Sequence, residues 1–310
     1  MPSVPTIDDT SVMGRTLRRI GELSPKYGAK LAAELARNDA RFFQRAEHFL
    51  SGFERFLISS GQDLNYGIDC HLKLRDQMME ERMAFLRSGR YANSSFAEVE
   101  QKVYANPQVM QYHMYGLVFA QFLWPDQYTR LGFFCNGLPH YRDCVGRYLE
   151  IGGGHAIYIS SAVELLRSET SFDLVDISAT SLNLARALSP NDRIRYHLCN
   201  IFEFPEDDRY DFIVAGEVLE HLEEPRKLLA RLRRMLAPGG RTFVTTPVNA
   251  PTVDHIYLFH HTQEIRDMLG SEGFVIESEV TRYAEDMPDA QAAKLKVPQM
   301  FAAFLRVAET

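Results

Sequence analysis

Two kinds of hydrophobic pattern follow each other along the chain. Between about residues 24 and 130 the apolar positions recur at helical spacing, and in the segment 29–60 they form one stripe of Leu31, Leu35, Phe42, Phe49, Phe53 and Phe56. This spacing predicts a helix that ends at Gly61. A second helix is predicted over 69–86, with an apolar side of Leu72, Met79, Met83 and Leu86, and a third from Pro107 to the residue before Pro125. The first twenty residues have no clear period and are expected to form a loose tail.

After about residue 145 short apolar runs alternate with segments of helical length. The runs predict seven strands, at Arg147–Ile151, Phe172–Ile177, Ile194–Cys199, Tyr210–Ala215, Arg241–Thr246, Val275–Val280 and Gln299–Val307. Such alternation is typical of βαβ units and a parallel sheet. We therefore predict a helical N-terminal cap over 1–140 and an α/β domain over 141–310.

Composition narrows the class of protein. The 310 residues are 45% hydrophobic and 24% charged, as in ordinary globular proteins, and the net charge of −7 argues against a general nucleic-acid-binding surface. No run approaches the ~18 apolar residues that cross a bilayer, and the N-terminus has no signal-peptide core. The four cysteines form no CxxC pair. We expect a cytoplasmic protein with reduced thiols, without nucleic-acid or membrane partners.

A cluster of three glycines follows the first predicted strand. Gly152, Gly153 and Gly154 come directly after Glu150-Ile151 and lead into a helical segment. Glycine allows a tight turn and close approach of a ligand to the backbone, and the start of a helix favours a carboxylate. Alone, this loop is weak evidence, because a plain turn also uses glycine.

An acid at the end of the next predicted strand strengthens that evidence. Asp176 lies about 20 residues beyond the loop, where a carboxylate of a βαβ unit reaches the hydroxyls of a ribose. The alternative is that Asp176 only caps the following helix.

These motifs resemble those of the class I SAM-dependent methyltransferases (SAM, S-adenosylmethionine). Glu150, Gly152 and Gly154 match the family's first motif, whereas Ala156 stands at its third glycine. The segments 210–222 and 236–241 resemble the fourth strand with its turn and the turn before the fifth strand. A nicotinamide-dependent dehydrogenase is not expected to carry these pieces in this order.

The resemblance implies a Rossmann-like α/β sheet of seven mostly parallel strands and SAM as cosubstrate or substrate. It implies that SAM is bound by residues of the first four strand ends, namely Glu150, Gly152, Gly153, Gly154, Asp176, Ile177, Asn200, Ile201 and Glu217. Asn200 occupies a position that is usually acidic in the family, and it would accept from the adenine amino group through its carbonyl.

Four residues are candidates for catalysis. His221 follows the fourth strand near the expected methyl position and is a candidate general base, although a histidine bonded to backbone at a helix start fits equally well. His255 is a candidate base or pocket wall. Tyr112 and Tyr115 belong to an aromatic-rich stretch whose rings would surround the sulfonium, with Tyr104 and Tyr128 comparably placed. No metal is expected, because no helical i, i+4 pair of ligands with a clear third partner is visible; the alternative is a metal site of Asp254 and His255 with another histidine.

Three functions stay open. The first is methyl transfer to a small-molecule acceptor in specialised metabolism, which an acidic surface and an aromatic cap favour. The second is cyclisation of SAM to azetidine-2-carboxylate and methylthioadenosine, as in the methyltransferase-like azetidine-2-carboxylate synthases. The third is a SAM-binding regulatory subunit without chemistry. A homodimer is compatible with the sequence, since the cap could pair between subunits.

Overall fold

The N-terminal part of the chain is helical. The computed structural model describes residues 8–309, and here α1 (Val12–Leu23), α2 (Pro25–Leu35), α3 (Ala40–Ser59), α4 (Leu64–Ser88), α5 (Phe96–Val99), α6 (Pro107–Leu123) and α7 (Pro125–Gly137) precede the first strand. A π-helical turn at Glu100–Tyr104 follows α5, and a 3-10 turn at Leu138–Tyr141 follows α7. We refer to residues 8–141 as the cap.

The structure corrects three expectations about the cap. The loose tail is wrong from Val12 onwards, because Ser11 caps α1 and Ile20 is buried, while residues 1–7 lie outside the described part. The predicted helix over 29–60 is two helices, since the Asp39 carboxylate accepts from the Phe42 backbone N–H (2.9 Å) and starts α3. The predicted apolar side of α4 is partly solvated, because Met79, Met83 and Leu86 are exposed.

The second part is an α/β sheet whose seven strands confirm the prediction. They are β1 (Arg147–Ile151), β2 (Ser171–Asp176), β3 (Ile194–Leu198), β4 (Tyr210–Gly216), β5 (Leu236–Val248), β6 (Phe274–Tyr283) and β7 (Gln299–Val307). Their order is β3-β2-β1-β4-β5-β7-β6, parallel except for β7, which runs antiparallel to β5 and β6. The helices between them are α8 (Ile157–Leu165), α9 (Ala179–Leu188), α10 (Pro225–Met235), α11 (Thr262–Ser271) and α12 (Asp289–Lys294). The carboxyl ends of β1 to β5 therefore meet at one edge of the sheet.

The cap and one face of the sheet share a hydrophobic core. Phe304 of β7 is 1% exposed, and its ring centroid lies 5.2 Å from that of Phe133 in α7 and 4.8 Å from that of Phe243 in β5. A second core fills the opposite face, where Leu228 and Leu232 of α10 are fully buried. The cap and this face of the sheet thus form one continuous hydrophobic core.

The part of the chain that the structure describes contains no helix with both the length and the apolar character needed to cross a membrane.

Because Phe304 joins the cap to the sheet, Phe304→Ala is expected to lower the free energy of unfolding by about 3–5 kcal/mol, the usual result of removing a buried ring. Urea denaturation of the ligand-free protein measures this. The control is Phe202→Ala, whose ring is 39% exposed and whose removal should change the stability far less. Equal losses in the two variants would contradict the shared core.

Candidate active site

A cavity of about 970 Å³ lies between the cap and the carboxyl edge of the sheet. The loops after β1, β2, β3, β4 and β5 form its floor, and α2, α4, α6 and α7 contribute its walls and roof. This is the edge at which ligands bind in open α/β sheets. The cavity brings together most of the residues that the sequence singled out.

The glycine loop forms the floor after β1. Gly152 has φ +68°, and a Cβ there would lie 2.9 Å from Val218 Cγ2 in the loop after β4. A Cβ on Gly154 would overlap the methyl group of Met114 in α6. The loop is therefore packed against sheet and cap at once. Glycine is required at position 152 by its positive φ and by Val218, whereas at position 154 the flexible end of Met114 would have to move. Ala156, which replaces a glycine, is buried in the left-handed region at φ +58° and begins α8.

Two buried carboxyl groups flank this loop. Glu150 is 2% exposed and accepts from the Tyr148 hydroxyl (2.9 Å), and burial raises the pKa of its carboxyl to about 8. Asp176, at the end of β2, is 8% exposed, and burial raises its pKa to about 6. Its Oδ1 accepts from the Ser178 backbone N–H (2.8 Å). The helix cap of α9 is Ser178 and not Asp176, so Asp176 is not explained by capping.

The other residues predicted to bind SAM also line the cavity. Ile177 follows β2, and Asn200 and Ile201 follow β3. The Asn200 side-chain carbonyl already accepts from the Phe202 backbone N–H (3.0 Å), so only its second lone pair is free for a ligand. Glu217 follows β4 in the left-handed region at φ +56°, and its Oε1 accepts from the Thr245 hydroxyl (2.8 Å).

Arg130 is a cavity residue that sequence reasoning missed. It extends from α7 with only 2% exposure, and its Nη1 lies 2.7 Å from Glu217 Oε2. Burial would lower the pKa of Arg130, but the negative charge of Glu217 outweighs it and keeps the guanidinium charged. The available signal was a lone arginine inside the aromatic stretch 128–134. This ion pair fastens the cap to the end of β4.

Two histidines stand together beyond β4 and β5. His221 belongs to a 3-10 turn at Leu219–His221, and the centroid of its ring lies 4.8 Å from that of His255. Burial would lower the pKa of His221, but the charges of Asp254 and Glu220 outweigh it and raise that pKa. Burial lowers the pKa of His255 to about 3. His221 is thus the more basic of the two.

The cap reaches this pair with two side chains. The Tyr104 hydroxyl lies 3.0 Å from His221 Nδ1, and His113 Nε2 of α6 lies 3.7 Å from the Asp254 carboxylate. Burial would raise the pKa of Asp254, but the facing His221 and His113 lower it well below its ordinary value. Tyr104 therefore lies at the site. Tyr128, which belongs to the same aromatic-rich stretch of the sequence, packs against Phe42 in the cap.

The structure places Tyr112 and Tyr115, which were candidates for the site, outside the lining of the cavity. The Tyr112 hydroxyl donates to the Gln77 side chain (2.5 Å), and the Tyr115 ring packs against Phe53 (5.4 Å between centroids). The reason is the helical period: α6 is buried almost all round, and the positions that share its cavity face are Met110, His113, Met114, Leu117 and Gln121.

The groups that line the cavity fit the chemical parts of SAM. A loop without room for a Cβ, a helix that begins at Ile157 and a buried carboxyl at the next strand end surround one cavity. A nucleoside with an amino-acid tail needs a close backbone, a positive helix end for its carboxylate and an acceptor for its ribose hydroxyls.

Comparison with known proteins agrees with this geometry. The family model described as a methyltransferase domain matches residues 149–242. The mitochondrial ubiquinone biosynthesis O-methyltransferase of Candida albicans is 31% identical over 103 residues, which cover 32% of this chain and 31% of that protein. The chain thus matches about a third of that relative's length.

Two solved structures share the fold. The mitomycin 7-O-methyltransferase MmcR superposes with a TM-score of 0.52 at 14% identity, covering 75% of this chain and 68% of that one. Phosphoethanolamine N-methyltransferase 2 of Haemonchus contortus, in complex with phosphomonomethylethanolamine and S-adenosylhomocysteine, gives 0.52 at 16% identity, covering 70% and 61%. At these identities the likeness concerns the fold.

The glycine loop with its acidic partner, the seven-stranded sheet and the matched domain model lead to one assignment. Residues 149–242 match a methyltransferase domain, and the sheet has the fold of the class I SAM-dependent methyltransferases.

Proposed function

We propose that this protein transfers the methyl group of SAM to a small-molecule acceptor inside the cavity under the cap, in a reaction of specialised metabolism. The observation that carries the proposal is the continuity of that cavity. It joins the glycine loop and Asp176 on one side to His221 and His255 on the other. Its volume of about 970 Å³ lies at the upper end of the ~300–1,000 Å³ of small-molecule pockets, which suits two ligands side by side.

The chain's own residues would do the following. Asp176 would accept from the ribose hydroxyls, and the loop Gly152–Gly154 would lie against the amino-acid tail. Bound SAM supplies a sulfonium whose methyl group is electrophilic without further activation. The cap would hold the acceptor in line with the methyl group, and such positioning supplies much of the acceleration in a group transfer.

The acceptor end of the cavity has a mixed character. Tyr104, whose ring lies next to that of His221, and Phe96, whose ring lies next to that of Tyr104, give it apolar walls, and this supports an aromatic or largely apolar acceptor. The basic nitrogen atom of His221, whose pKa is raised, supports an acceptor whose nucleophile must lose a proton. The matched relative from Candida albicans, an O-methyltransferase by name, supports oxygen as the accepting atom.

The proposal is tested by incubating the purified protein with SAM, with and without a set of small hydroxylated aromatic acceptors, and analysing products by mass spectrometry. We expect S-adenosylhomocysteine and a methylated product only when an acceptor is present. Methylthioadenosine and azetidine-2-carboxylate from SAM alone would replace methyl transfer by cyclisation. SAM binding with none of these products would favour the regulatory subunit.

Asp176→Ala is expected to weaken SAM binding by roughly 1–3 kcal/mol, because hydrogen bonds from buried ribose hydroxyls lose a charged acceptor. Isothermal titration calorimetry measures the change. The matched control is Asp207→Ala, an exposed acid in the loop before β4, which should leave the affinity as it is. An unchanged affinity in Asp176→Ala would remove this carboxylate from the site.

His221→Ala is expected to lower kcat by about 10²–10⁴-fold, the range that proton transfer by a positioned side chain contributes, and to change SAM affinity little. Steady-state kinetics and calorimetry measure the two effects. His260→Ala is the control, since His260 is exposed and does not line the cavity. Full activity in His221→Ala would show that this imidazole only bonds to the backbone.

A further inference from the structure

Three side-chain atoms that can accept hydrogen bonds lie close together at the end of the cavity where the methyl-acceptor substrate would bind. Glu220 Oε1 lies 3.9 Å from His221 Nε2 and 3.9 Å from His255 Nε2. All three atoms lie within 4.8 Å of one another. Glu220 and His221 follow β4 and His255 follows β5, so the cluster exists only when the two strand ends are adjacent.

The hydrogen bonds of each imidazole indicate which nitrogen is free. His255 Nδ1 lies 2.5 Å from the Ala250 carbonyl oxygen, and His221 Nδ1 lies 3.0 Å from the Asp254 carbonyl oxygen. A carbonyl oxygen can only accept, so His255 Nδ1 carries the hydrogen and donates it. His221 Nδ1 faces both the Asp254 carbonyl and the Tyr104 hydroxyl at 3.0 Å, and the tautomer in which it donates to the carbonyl leaves Nε2 free for an ion. When both imidazoles are neutral and both Nδ1 atoms carry the hydrogen, each Nε2 atom has a free lone pair. Each Nε2 atom lies 3.9 Å from Glu220 Oε1.

Glu220 presents a third lone pair instead of a donor. Its Oε2 accepts from the Thr246 hydroxyl (2.8 Å), while its Oε1 is buried without a hydrogen-bond partner, in a residue that is 0% exposed. A buried oxygen left unpaired costs free energy. With Glu220 ionised and both imidazoles neutral, no hydrogen lies among these three atoms, and a cation between them would satisfy all three. Burial raises the pKa of Glu220, so the competing occupant is a proton.

We propose that Glu220, His221 and His255 bind one divalent transition-metal ion. Two imidazoles and one carboxylate suit ions such as Zn²⁺, Co²⁺, Mn²⁺ or Fe²⁺. With metal–ligand bonds of about 2.0–2.2 Å, ligand atoms stand roughly 3–3.5 Å apart, so the Glu220–histidine distances of 3.9 Å need to close by less than about 1 Å and the widest separation by up to about 2 Å.

The surroundings of the three ligands match those of metal sites. An Nδ1–H bonded to a backbone carbonyl is the usual way in which a metal-binding histidine is oriented, and the Thr246 hydroxyl holds the carboxylate in the same manner. The backbone N–H groups of Ile256 and Tyr257 donate to the Glu220 carbonyl oxygen at 2.8 and 2.9 Å. These bonds fasten the two ligand-bearing loops to each other before any ion arrives.

The site deepens the proposed function without depending on it for binding. His221 and His255 line the cavity, so the remaining coordination positions of the ion would face the acceptor. With its Nε2 on the ion, His221 would act as a ligand instead of the general base, and the ion would lower the pKa of an acceptor hydroxyl. The acceptor class is then a small molecule with a hydroxyl or carboxylate oxygen that the ion can hold. The expectation of no metal rested on the absence of a helical ligand pair, whereas these three ligands lie in two loops that are distant in sequence.

The test uses the full-length protein, stripped with EDTA and dialysed, without SAM. Titration with Co²⁺ is followed by its visible absorption, and bound Zn²⁺ is counted by mass spectrometry after equilibration. We expect one ion per chain in the wild type, and at least about tenfold weaker binding in Glu220→Gln and in His255→Ala. His48→Ala, which removes a histidine 78% exposed on α3, should bind as the wild type does.

Circular dichroism and SAM calorimetry show whether each variant is folded. Glu220→Gln keeps an oxygen for Thr246, so it serves as the conservative variant. The proposal is overturned if the stripped wild type binds no ion at micromolar concentration, or if Glu220→Gln and His255→Ala bind as the wild type does. Those results would leave a proton as the occupant of the cluster and would not alter the SAM-binding result with Asp176→Ala.

Discussion

The site depends on the closure of the sheet's carboxyl edge by the cap, and one buried ion pair holds this closure at its centre. Arg130 of α7 and Glu217 after β4 meet at 2.7 Å, with the arginine 2% exposed. A buried charge is costly unless it is paired, so the buried Arg130 guanidinium depends on Glu217, whose side chain is 26% exposed. The aromatic core around Phe304 supplies apolar surface that the cap buries against the sheet. The ion pair links one position of α7 to the end of β4.

Burial gives the two ends of the cavity different chemistry. Near the glycine loop it raises the pKa of Glu150 and of Asp176. At the other end it lowers the pKa of His255, while nearby carboxylates keep His221 basic. A cationic cosubstrate suits the first end, because buried carboxylates gain most from a positive neighbour. At the second end, lone pairs of the two imidazoles and of Glu220 can accept a proton from a nucleophile or bind a cation.

The sequence located the elements better than their contacts. The pattern gave β1 and β7 to the residue, and α6 with its proline boundaries, because periodicity and proline act locally. It failed at α1, where few apolar positions sufficed for burial, and at the break before α3, where Asp39 caps a new helix inside an unbroken apolar stripe. Tyr112 and Tyr115 were chosen by residue type, and the period of α6 turned both away from the cavity.

By itself the sequence determined the α/β sheet, the glycine loop and the acid at the end of β2. These features depend on backbone conformation and on spacings within a single βαβ unit, both of which are written in neighbouring residues. Only the tertiary structure decided that Arg130 meets Glu217, that Tyr104 and His113 reach the loops after β4 and β5, and that Glu220 faces two imidazole lone pairs. These contacts join segments far apart in the chain, and packing, which no local pattern encodes, selects them.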